Sequence, residues 1–122
     1  SGFVRTTLFM HDIIIPRDAS QQAYTGEHID IAADFSNLQV GDLIFFGQKA
    51  TATRKERVVH VGIYIGNGRF IHSSGQVKIN SLNSGDKDYI KYNLLKIKRI
   101  DGMIGTDGIW SIYDHPWYNL AR

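Results

Sequence analysis

The feature that most constrains the fold is a pair of apolar runs around one tight turn. Val58–Ile65 and Arg69–Ser73 flank Gly66-Asn67-Gly68. Runs rich in β-branched and aromatic residues on either side of such a turn read as a β-hairpin. A third run, Leu43-Ile44-Phe45-Phe46, follows a turn at Val40-Gly41-Asp42 and is apolar at every position. That pattern predicts a strand buried on both faces. A short strand at Val77–Ile79 and an alternating one at Leu94–Ile100 extend the sheet, with loops over 47–57 and 83–88. Twelve glycines against two prolines fit a strand-rich chain with many turns.

The first part of the chain reads differently. Phe3, Val4, Thr7 and Leu8 make one stripe of a helix over Ser1–His11. Ile13-Ile14-Ile15 is extended by preference, and Pro16 keeps its predecessor out of a helix. Asp18 to Gln22 predicts a short helix, with Asp18 as N-cap and Gln21 at capping-box spacing. Gly26–Asn37 is polar and turn-like, without periodicity. A helix followed by strands predicts an α+β fold, with helices to one side of an antiparallel sheet. The length of 122 residues fits one domain, its core within about 1–100 and an aromatic tail over 101–122. Trp110, Trp117 and Tyr118 in that tail are expected to fold back over the domain.

Composition excludes some classes. The formal charge of +2 suits an anionic polymer partner but is too small, and too scattered, for a nucleic-acid surface. Lys49, Arg54, Lys55 and Arg57, and again Lys96, Lys98 and Arg99, read as solvated faces. No run has the length of a membrane span, and no signal peptide is visible. With no cysteine there is neither a disulfide nor a thiolate metal site. No cofactor is expected.

Two histidines, His60 and His72, sit within the apolar runs of the hairpin. A two-residue loop would put them on opposite faces. A three-residue loop pairs Gly62 with His72 and sets His60 and His72 as diagonal neighbours on one face. A joint site therefore requires an odd-length loop or a bulge. It also accounts for Gly62, which leaves no side chain between the imidazoles. Such a pair has two possible uses. It can bind zinc, which wants further ligands; Asp42 and Glu56 are the nearest acids, without metal spacing. Or one ring is a general base and the other orients it, which requires a nucleophile. Asp42 reads as a turn former, Tyr64 as a packing residue, and His11, His28 and His115 as surface residues.

Three segments carry a resemblance: Ser1-Gly2-Phe3-Val4, Leu38 to Phe46 with Gly41-Asp42-Leu43 at its centre, and His60-Val61-Gly62-Ile63-Tyr64 with Ile71-His72-Ser73-Ser74. In order and spacing they resemble the NlpC-type papain-like cysteine peptidases of bacterial cell walls. The resemblance implies a papain-like fold, with an N-terminal helix packed on an antiparallel sheet. It makes His60 the general base and His72 the residue that orients it. It places a nucleophilic cysteine on the nitrogen of Ser1, where a helix start favours thiolate. The substrate it implies is a peptidoglycan stem peptide.

Pro16 to Gln22 is similar to the subgroup that cuts γ-D-glutamyl-L-diamino acid bonds of peptides with a free N-terminal L-alanine. On that likeness Asp18 and Ser1 bind the free amine. The implied setting is the cell envelope or outside the cell, with an N-terminal part and targeting modules, such as an SH3-like domain, beyond this chain. Three explanations of the missing cysteine stay open: a modified residue, a truncated chain, or a catalytically inactive relative that binds peptidoglycan peptides. The expected absence of the family's N-terminal part favours a truncated chain over an inactive relative.

Overall fold

Ten elements follow one another in the computed structural model, which describes residues 2–9, 13–14, 17–100 and 109–111. They are α1 (Gly2–Phe9), β1 (Ile13–Ile14), α2 (Ala19–Gln22), β2 (Glu27–Ile29), β3 (Leu43–Gln48), β4 (Arg57–Gly66), β5 (Arg69–Ser74), β6 (Gln76–Ser81), β7 (Leu94–Arg99) and β8 (Trp110–Ser111). Six strands form an antiparallel sheet in the order β2-β7-β3-β4-β5-β6, while β1 and β8 make a separate antiparallel pair. The arrangement is α+β, as the sequence predicts.

Strand β3 is the spine. Leu43, Ile44, Phe45 and Phe46 are all buried, which confirms a strand covered on both faces. Alternation sends them to different cores. Leu43 and Phe45 join Val61, Val4 of α1, Ala19 and Ala23, Ile100 and Ile109. Ile44 and Phe46 join Ile29, Leu38, Tyr64, Phe70 and Ile97. Helix α1 therefore covers one face, and Ile109 returns to the same face from beyond β7. Trp110 belongs to β8, and residues 101–108 and 112–122, His115, Trp117 and Tyr118 included, lie outside the described residues, as does His11.

Two expectations need correction, and one open alternative is settled. The polar stretch 26–37 contains strand β2, paired Glu27↔Arg99, His28↔Lys98 and Ile29↔Ile97. Only Ile29 of it is buried, so an edge strand with one core contact left no periodicity to detect. Asp18 stands at the N-cap of α2 with extended backbone, but its side chain makes no cap hydrogen bond. Its carbonyl accepts from Gln21 N at 3.0 Å and Gln22 N at 2.8 Å instead, so the main chain alone closes this single turn. Of the two hairpin loops weighed, the structure has the two-residue one, Gly66 pairing with Arg69 across Asn67-Gly68, together with a bulge between Tyr64 and Gly66. Asn67 (φ 54°) and Gly68 (φ 73°) both occupy the left-handed region that a tight two-residue hairpin requires.

Asp42 is structural, as read. It is 2% exposed and holds Arg99 in a fork, Nε to Oδ1 at 2.9 Å and Nη2 to Oδ2 at 2.8 Å. Gln39 N donates to Asp42 Oδ2 at 2.9 Å, and Arg99 Nη2 also donates to Asn37 O at 2.9 Å. The pair ties the turn before β3 to the end of β7. The basic residues of the 49–57 segment are solvent-exposed, and Lys96 pairs with Glu56 at 3.1 Å beneath the Tyr24 ring. Among the described residues no helix is long and apolar enough to cross a membrane.

Candidate active site

The bulge at Ile65 builds the site. It shifts the register of β4 on β5 so that Tyr64 faces Phe70, Ile63 faces Ile71 and Gly62 faces His72. His60 lies two residues beyond Gly62 and so shares its face with His72. The predicted bulge-or-odd-loop condition is met by the bulge. A Cβ on Gly62 would lie 2.8 Å from Phe70 Cδ2 and 3.5 Å from His72 Cβ. Glycine thus lets the Phe70 ring pack against β4 beside the two imidazoles.

The rings meet directly. His60 Nε2 and His72 Nδ1 are 2.8 Å apart, with the ring planes nearly perpendicular at 79°. The face they occupy is the one that carries Phe46 and Phe70, opposite that on which Val4 of α1 packs. His72 is fully buried, and its Nε2 lies 2.6 Å from Asn80 Oδ1 on β6. Both nitrogens of His72 are therefore engaged. His60 is half-buried, and its Nδ1 has no hydrogen-bond partner among the described residues.

Burial disfavours the charged imidazolium of His60, a second charge on His72 would oppose it further, and the amino-terminal charge adds to both; together they take the His60 pKa down to about 4. At neutral pH His60 is an uncharged ring with one nitrogen open to a reacting group. That is the state a general base needs.

The zinc alternative fits poorly. The two facing nitrogens are in hydrogen-bond contact, whereas a metal between them would need about 2 Å on each side. Asp42 is committed to Arg99 and Glu56 to Lys96. Among the described residues no group of three or more histidines and acids is placed to hold a metal ion.

Asp18 is exposed at the start of α2, with its carboxylate unused by the helix. Ser1 lies outside the described residues. His28 is exposed, 3.5 Å from Asp30. Two residues at the site have no counterpart in the sequence reading. Asn80 is one; its hairpin partner register, His72↔Lys78 with Phe70↔Asn80 about the turn at Gly75, puts it diagonal to His72. Reading Gly75 as a turn would have found it. Tyr92 is the other, its ring 5.6 Å from His60 and 5.2 Å from Phe46. It comes from an irregular segment, and no sequence pattern marks it. A cleft of about 390 Å³ opens beside His60, lined also by Phe46, Gly47, Gln48, Val59, Lys91, Tyr92 and Asn93.

Residues 1–99 match the model of the NlpC/P60 family. The chain is 47% identical over 73 residues to a γ-D-glutamyl-L-lysine dipeptidyl-peptidase of Bacillus cereus, a match covering 60% of the chain and 20% of that protein. It is 38% identical over 86 residues to the murein DD-endopeptidase MepS/murein LD-carboxypeptidase of Escherichia coli, covering 68% of the chain and 40% of that protein. Among solved structures it is similar to an NlpC/P60 family protein of Bacillus cereus, with TM-score 0.58, 36% identity and 80% of the chain matched to 30% of the other. It is also similar to NlpC2 of Trichomonas vaginalis, with TM-score 0.63, 32% identity and coverage of 81% and 35%. The chain thus spans about a fifth of the length of the first curated relative it matches. The α+β architecture is papain-like.

Proposed function

The chain belongs to the NlpC/P60 family of peptidases, and on that premise we propose that it is the catalytic part of a cysteine endopeptidase of peptidoglycan stem peptides. The bond cut is that between γ-D-glutamate and an L-diamino acid, in peptides with a free N-terminal L-alanine. The observation that carries the reading is the contact of His60 Nε2 with His72 Nδ1, made by a ring that burial keeps uncharged and whose Nδ1 is left open.

The nucleophile is a cysteine bonded to the nitrogen of Ser1, at the start of α1; on this reading that end of the chain reaches His60 although α1 itself packs on the other face of the sheet, and the action of the amino-terminal charge on His60 supports it. His60 takes the thiol proton at Nδ1, and the thiolate attacks the γ-carbonyl. Backbone N–H groups at the helix start receive the developing oxyanion. His60 then gives its proton to the leaving amine of the diamino acid. Water resolves the thioester with His60 again as base. His72 accepts the His60 Nε2–H throughout and so holds the ring in place. Asp18 and Ser1 hold the L-alanine ammonium, a charge pairing that rejects a blocked N-terminus. The free Asp18 carboxylate supports this part.

The single domain is read as one part of a longer protein that works in the cell envelope or outside the cell, with an SH3-like targeting module preceding it. The likeness to murein and γ-D-glutamyl-L-lysine peptidases supports the substrate class. A second reading, a peptidoglycan-peptide binding module without turnover, is favoured by one observation: the chain has no cysteine.

One assay separates the two. Protein carrying a cysteine before Ser1 is incubated with L-Ala-γ-D-Glu-L-Lys, and products are read by mass spectrometry. Release of L-Ala-D-Glu and lysine, blocked by thiol alkylation, is expected. Binding of the peptide without release would leave the module reading in its place.

A further inference from the structure

The chain of hydrogen bonds does not end at His72. Asp88 O accepts from Asn80 Nδ2 at 3.0 Å and from Ser81 N at 2.9 Å. A carbonyl oxygen only accepts, so Asn80 must turn its NH₂ toward Asp88 and its Oδ1 toward His72. Oδ1 also only accepts, so His72 carries its proton on Nε2, 2.6 Å away. In the neutral ring its lone pair is then on Nδ1, facing His60 Nε2. His60 must donate from Nε2, and its own lone pair stays on Nδ1.

Turning the amide over would reverse every step. His72 would donate from Nδ1, His60 would accept at Nε2, and the His60 proton would sit on Nδ1, where no base would remain. We propose that Asn80 is a positioning residue: it sets the polarity of the relay and thereby leaves the basic lone pair of His60 at Nδ1. Its importance for turnover rests on the reading of His60 as general base.

The anchor is itself held. Arg69 Nε donates to Asp88 Oδ2 at 3.0 Å and Arg69 Nη2 lies 3.6 Å from Asp86 Oδ2. Ser81 Oγ donates to Asp86 Oδ2 at 2.6 Å and accepts from Asn83 N at 2.9 Å. The Asp88 carbonyl is thus pinned from two strands, and the complete burial of His72 keeps water from substituting for the amide.

The test is the ring ¹⁵N and ¹³C NMR of the 122-residue chain at neutral pH, which needs no activity. Both His60 and His72 are expected as neutral rings protonated at Nε2. Asn80→Leu should release His72 into a mixture of tautomers, with the backbone spectrum otherwise retained. Asn80→Asp keeps an acceptor at His72 Nε2 and should keep that tautomer. A wild-type His72 protonated at Nδ1 overturns the proposal whatever the variants do. So does an unchanged Nε2–H tautomer in folded Asn80→Leu. In the cysteine-bearing protein, Asn80→Leu should lower kcat about tenfold or more with KM little changed, and Asn80→Asp should recover most of it. An unaltered kcat in Asn80→Leu would end the claim of a role in turnover. Absence of any peptide hydrolysis with the expected tautomers would refute the assigned reaction and leave the tautomer lock standing.

Discussion

His60 on β4 and His72 on β5 face each other ring to ring, Nε2 to Nδ1 at 2.8 Å, in the register that pairs Gly62 with His72. In the cysteine-bearing protein, His60→Ala should abolish turnover without unfolding the domain, because His60 is only half-buried. His72→Ala should leave a residual rate, since it removes orientation and not the base. Peptide release assays with circular dichroism of each variant check this. Full activity in His60→Ala would exclude the mechanism.

The pH dependence has a definite sign. Burial and the neighbouring His72 place the folded-state pKa of His60 at about 4, against about 6.5 in the unfolded chain. Between these values the unfolded state binds more protons, so stability rises with pH. The contribution is complete above about pH 6.5 and is lost as pH falls through about 4. The stability difference between wild type and His60→Gln should therefore vary across this window and be flat above it. Urea midpoints at stepped pH give the measurement.

Asp18→Ala tests the substrate amine. No side-chain cap bond is lost, so stability should change by less than about 0.5 kcal/mol. Cleavage of peptides with free L-alanine should fall far more than that of N-acetylated ones. Equal loss on both substrates would remove Asp18 from the amine site.

The Asp42–Arg99 fork is a stability element. Asp42→Ala leaves Arg99 beside a vacated buried site and frees Gln39 N. Breaking such a pair should cost about 3–5 kcal/mol. Chemical denaturation reads the loss. A change near zero would mean that the turn before β3 holds without it.

The sheet was legible because its central strands are long, apolar and punctuated. Leu43–Phe46, Val58–Ile65 and Arg69–Ser73 each declare a strand through composition alone. Strand β2 was not legible: it has three residues, one buried, and exists because β7 offers it an open edge. The helix cap at Asp18 was half legible. Residue type marked the position, but whether the side chain or the carbonyl closes the turn is a matter of rotamer and backbone geometry.

The sequence by itself narrowed the histidine pair to two registers through period-two alternation, and Gly62 suits the one that puts both rings on one face. It also determined the family-like order of segments. Tertiary structure decided how the register is reached, with a bulge at Ile65 and a two-residue turn in place of a three-residue loop. Those two solutions differ locally and agree at Gly62↔His72, so side-chain pattern cannot separate them. It alone brought in Tyr92, from a segment with no period, and tied Asn80 to the Asp88 carbonyl eight residues on. Hydrogen-bond polarity is a property of atoms brought together by folding, and residue order does not encode it directly.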